Sequence, residues 1–89
     1  MKSKPKFVKS NAQKMIEDIR DVNPHLFSIL NVRDISGNGN ILVFYINKNK
    51  VKIIYNPTDN IYTLNINKKR VTNLSISDIV DILNREFKI

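Results

Sequence analysis

Cysteine is absent from the 89 residues. That excludes a disulfide framework, a thiolate metal site and a thiol nucleophile, and leaves packing alone to hold the fold. A reducing, cytoplasmic setting is the expectation that follows. Long hydrophobic runs are missing as well, the longest being the six residues Ile41–Ile46. A membrane-spanning helix takes roughly 20 apolar residues, so no membrane partner is expected. Met1 to Lys9 is basic, but neither an apolar stretch nor a small-residue cleavage site follows, and secretion is not expected either. Only Gly37 and Gly39 supply glycine. Apolar runs flank them and no helical pattern follows directly, so they read as hairpin glycines and not as a phosphate loop. No Walker loop, dinucleotide fingerprint or zinc-ligand spacing is present, and no cofactor or metal is expected.

What the chain does have is charge, unevenly placed. Of fifteen Lys and Arg, eleven fall in Met1–Lys14 and Ile41–Asn73, stretches that contain one acid, Asp59. The rest is mildly acidic, and the total is +7. Such segregation points to a polyanionic partner, although charge speaks to association and not to fold. Thirteen Asn, fourteen Ile and eleven Lys share A/T-rich codons, which points to an A/T-rich coding genome, as in a low-GC bacterium or its phage.

The length suits one domain that hides about 60–65% of its unfolded surface. Residues 1–9, with four Lys and Pro5, have little to bury and are expected to be a flexible basic arm; residues 10–89 form the domain. Ser10 with Gln13 makes a capping box, and Ala12, Met15, Ile16, Ile19 and Val22 recur at helical spacing, predicting a helix over about Asn11 to Val22. Pro24 ends it. A helical turn to Leu30 and then a strand are expected next.

From Asn31 the pattern becomes short apolar runs between turn residues, predicting four strands in an antiparallel meander. Turns are expected at Gly37–Asn40, at Asn47–Lys50 and at Asn56–Asn60. Taking Lys48-Asn49 as the second loop pairs Ile46 with Val51, Phe44 with Ile53 and Leu42 with Tyr55, and taking Pro57 to Asn60 as the third brings Tyr62, Leu64 and Ile66 alongside. All nine are apolar or aromatic, so one face is a core face. A last helix is expected over about Ile76 to Phe87, opened by Ser75 and Asp78 and striped by Ile76, Ile79, Val80, Leu83 and Phe87. The predicted class is α+β, a two-layer sandwich with both helices on one side of the sheet.

The other face is predicted to carry Val43, Ile54 and Ile61 as an apolar patch beside Tyr45 and Lys52. Alternate turns of a meander share an end, which should gather Lys48, Lys50, Lys68, Lys69 and Arg70 near Lys52. Like charges so placed repel one another until phosphates relieve them and counterions are released. Among the tyrosines only Tyr45 is predicted to face outward, where it can stack a base; Tyr55 and Tyr62 point to the core. His25 lacks a second positioned group and reads as a surface or capping histidine. Glu17 and Asp21 share a helix face that could hold a cation but reads more simply as solvated.

The order helix, strands, helix, with a basic turn before the last helix, resembles the topology of double-stranded-RNA-binding domains and of small ribonuclease toxins. The resemblance stops at topology. Lys68-Lys69-Arg70 precede Ser75 instead of opening the helix as in the former, and no histidine stands in a strand or loop beside the sheet as the latter would require. The expectation is therefore a non-enzymatic binding domain that holds DNA or RNA through phosphates with low sequence specificity. The rival is an interaction protein from a phage or mobile element that inhibits a host or defence protein by docking on its acidic, nucleic-acid-handling surface. A homodimer through the open sheet face is a further expectation to test.

Overall fold

The computed structural model describes residues 10–87; the expected arm, residues 1–9, lies outside them. The elements are α1 (Asn11–Val22), α2 (Leu26–Ile29), β1 (Val32–Asn38), β2 (Ile41–Ile46), β3 (Asn49–Asn56), β4 (Ile61–Ile66), β5 (Lys69–Leu74) and α3 (Ile76–Glu86). The Ser10 hydroxyl accepts the Gln13 amide at 3.2 Å and starts α1. At α3 both halves of a capping box form, the Ser75 hydroxyl accepting from Asp78 N and the Asp78 carboxylate from Ser75 N. Each contact satisfies an amide that the first helical turn leaves without a partner. After Pro24 the chain makes the single turn α2, as expected, and enters β1.

The sheet is an antiparallel meander of five strands in the order β1-β2-β3-β4-β5, one more than the sequence pattern predicts. The additional strand is β5. Five of its six residues are exposed, so the alternation that marks a half-buried strand is missing from its sequence. A turn creates it instead. Gly39-Asn40, Asn47-Lys48 and Asn67-Lys68 are two-residue hairpin loops, and the first residue of each has positive φ, 61°, 60° and 55°. That backbone matches strand twist, and glycine and asparagine adopt it most readily.

The β2–β3 loop is thus Asn47-Lys48 and not Lys48-Asn49, and the observed partners are Phe44 with Val51, Leu42 with Ile53 and Ile46 with Asn49. The shift is two residues along β3. Because side chains alternate at period two, such a shift leaves every residue on its predicted face. Between β3 and β4 the Pro57 to Asn60 loop holds, with Asn56 opposite Ile61. Both edge strands carry an extra residue, between Arg33 and Ser36 in β1 and between Val71 and Leu74 in β5, with Asp34 and Asn73 at φ 53° and 61°. Bulges of this kind disrupt the ladder that a neighbouring chain would otherwise extend.

Both helices bury their stripes against one face. Met15 and Ile19 of α1, Leu26 of α2, and Ile79 and Leu83 of α3 share one cluster with Leu42, Phe44, Ile53 and Leu64 of the sheet. Val22, expected in the stripe, is 47% exposed at the last turn of α1, and Phe87 only flanks the core.

The first turn of α1 sits directly on the β1–β2 hairpin. Ala12 N donates to Gly39 O at 2.9 Å, and Asn11 Nδ2 to Asn40 Oδ1 at 2.6 Å. A Cβ at Gly37 would stand 2.6 Å from the buried Ala12 Cβ, so α1 can approach this closely only over glycine. Gly37→Ala is expected to cost about 1–3 kcal/mol, an overpacking penalty, read as a lower thermal midpoint. Adding Ala12→Gly should recover part of the loss; no recovery would refute the clash.

Candidate functional site

The register places the open-face side chains that stand at paired positions. One row runs Arg33 on β1, Tyr45 on β2 and Lys50 on β3; the next runs Ser36, Val43, Lys52, Asn65 and Arg70 across all five strands. A third holds Asn38, Ile41, Ile54 and Thr63, and Ile61 faces Asn56 beyond it. The open face is therefore cationic at one end and apolar at the other. No carboxylate occupies a paired position on it.

The two basic turns meet at the cationic end. Asn67 N donates to Lys50 O at 3.0 Å, Lys50 N to Asn67 Oδ1 at 3.2 Å, and Asn67 Nδ2 to Asn49 Oδ1 at 2.7 Å. This amide latch ties the Asn47-Lys48 and Asn67-Lys68 loops together and brings Lys48 and Lys68 to the same margin as Lys50, Lys52 and Arg70.

Lys69 departs from the predicted cluster. It lies opposite Ile66, on the helix side of the sheet, and its Nζ is 3.7 Å from Glu86 Oε2 of α3. Strand β5 alternates like any other, so Lys69 and Arg70 point to opposite faces. Arg33, on the opposite edge strand, joins the open face. It was missed because it stands in a weakly patterned edge strand beside Asp34; its placement on the row of Tyr45 needs the β1–β2 register.

Six of the eight acids, Glu17, Asp18, Asp21, Asp78, Asp81 and Glu86, lie on α1 and α3. They outnumber the three helix cations Lys14, Arg20 and Arg85, whereas seven cations, Arg33, Lys48, Lys50, Lys52, Lys68, Lys69 and Arg70, lie on the strands and their turns with two acids, Asp34 and Asp59. The sandwich is thereby polarised between its layers. A field of this kind orients an approaching polyanion toward the sheet.

The other candidates settle elsewhere. Tyr55 and Tyr62 do face the helices, as an aromatic pair with ring centroids 4.9 Å apart. His25 is exposed at the start of α2, its backbone N donating to Asn23 Oδ1 at 3.2 Å. Among the described residues no group of three or more His, Cys, Asp or Glu could hold a metal ion, so Glu17 and Asp21 belong to none. No helix among them is long and apolar enough to cross a membrane. No family model matches the chain, nor does any curated protein or solved structure. What the geometry defines is a class, an α+β sandwich with a basic sheet face that no described element covers.

Two consequences can be measured. Burial pushes the Tyr62 hydroxyl above its ordinary value of 10.0, and the nearby Asp18 carboxylate and Tyr55 add to the shift. A raised value favours the fold while the phenol keeps its proton. That contribution is whole below pH 10 and is lost as pH rises through the raised value. Thermal midpoints followed across alkaline pH should fall less steeply in Tyr62→Phe than in the parent, and equal slopes would refute the assignment. In the second row Asn65 Oδ1 is buried with no hydrogen-bond partner, a condition that costs about 1–3 kcal/mol. Asn65→Val removes the orphan and suits a strand. Its thermal midpoint should rise, and a fall would show that the amide is satisfied after all.

Proposed function

We propose that this protein is a non-enzymatic binding domain that holds nucleic acid through its phosphates with low sequence specificity. One observation carries the reading: Arg33, Lys50, Lys52 and Arg70 share a sheet face that no described element covers, with no carboxylate at its paired positions, and Lys48 and Lys68 extend them at the latched turns. Cations spread over a face, with no helix or long loop rising from it, match a ligand recognised by its backbone. The rival occupant is the acidic surface of a host or defence protein. A homodimer through this face is disfavoured, because it would bring two net-cationic surfaces together.

Titration with a labelled nucleic acid at a series of salt concentrations tests the reading. If about four to six phosphates are engaged, log K should fall against log salt with a slope of about −3 to −5. Lys50→Gln, Lys52→Gln and Arg70→Gln should each weaken binding and flatten that slope by about 0.7–0.9, with the thermal midpoint unchanged. Lys69→Gln should do less, since its ammonium is turned toward Glu86. Binding indifferent to salt would refute the proposal. Capture of a host protein that survives nuclease treatment, by a domain that binds no nucleic acid, would favour the rival.

A further inference from the structure

Tyr45 is the one aromatic at a paired position of the open face, and it lies within the cationic row. Arg33 faces it from β1 and Lys50 from β3, while Tyr45 itself is half-buried. Lys52 and Arg70 follow in the adjacent row, Arg70 on the far edge strand. Cations thus run from one edge of the sheet to the other, past an aromatic ring.

Resting on the phosphate-binding reading, we infer that the ligand is single-stranded: it crosses the sheet from β1 toward β5, with an unpaired base on the ring of Tyr45 and phosphates at Arg33, Lys50, Lys52 and Arg70. The shape of the face argues for this over a duplex. Five strands about 4.8 Å apart span roughly 19 Å, too wide for a major groove of roughly 12 Å. The hairpin loops at the basic margin have two residues each, too short to reach base edges for it. A duplex would meet this face through phosphates alone, and the ring of Tyr45 would touch only backbone. A single strand gains the same phosphate contacts and, in addition, stacking. Every base has a π-face, so stacking here carries little sequence preference. Charge also selects against the protein occupant: a protein surface would have to supply carboxylates matched to four cations spread over five strands, whereas a phosphodiester chain presents its charges along its whole length.

The experiment compares fluorescently labelled oligo(dT), oligo(U) and a DNA duplex of equal length at low salt, with the parent, Tyr45→Ala and Tyr45→Phe, the fold of each variant being checked by circular dichroism and thermal midpoint. Both single strands should bind several-fold more tightly than the duplex. Tyr45→Ala should weaken single-strand binding by about 5- to 150-fold, the span of base–aromatic stacking, and change duplex binding far less. Tyr45→Phe should retain most of the affinity. Oligo(dT) should quench part of the parent's intrinsic tyrosine fluorescence, and that fraction should vanish in Tyr45→Phe, since Tyr55 and Tyr62 face the helices. Equal affinity for duplex and single strands, with Tyr45→Ala neutral, would overturn this inference and leave the phosphate reading standing. No binding to any of the three probes at low salt would overturn both.

Discussion

Burial of one sheet face under two helices governs the rest of this structure, because a strand cannot hide one side without committing the other. Leu42, Phe44, Ile46, Val51, Ile53, Leu64 and Ile66 must turn toward α1 and α3 to leave water, and each is buried. Period-two alternation then sends Val43, Tyr45, Lys50, Lys52 and Asn65 outward together. The composition of the open face is thus the complement of the core.

The sheet that carries this face is aligned by asparagine. Asn47 and Asn67 accept the positive φ that the tight loops require, and the Asn49–Asn67 contact ties the two loops. Asp34 and Asn73, also at positive φ, sit in the bulges of the two edge strands. A chain with two glycines has delegated most of its left-handed backbone positions to Asn and Asp, the residues best suited after glycine. Lysine completes the same loops, so the structural and electrostatic tasks fall on neighbouring residues.

Polarisation between the layers follows from where each charge can be tolerated. Asp78 stands at the amino end of α3, where it caps the first turn and meets the favourable end of the helix dipole. Seven of the ten described cations occupy strands and turns, Lys14, Arg20 and Arg85 being on the helices; of those seven, the covered face excludes nearly all and the open face and its turns collect them. Lys69 is the exception. On the helix side near the edge of the sheet it remains exposed beside Glu86, at a separation that contributes little to stability.

Much of this was legible in the chain itself. Capping residues, helical stripes, turn residues and alternation are local signals, and they marked α1, α3 and the strands β1, β2, β3 and β4 and assigned the two faces, even though the β2–β3 register was two residues out. The parity of a strand survives an even shift, which is why Lys50, Lys52 and Tyr45 were rightly sent outward. Strand β5 was not legible, since an exposed edge strand buries too little to leave a pattern. With it went the opposed directions of Lys69 and Arg70. Arg33 joined the row of Tyr45 only through the pairing of β1 with β2, and the Asn49–Asn67 latch joins residues 18 apart. Which residues alternate is written along the chain; which ones stand side by side is decided by strand pairing, because neighbours across a sheet are set by register and not by sequence distance.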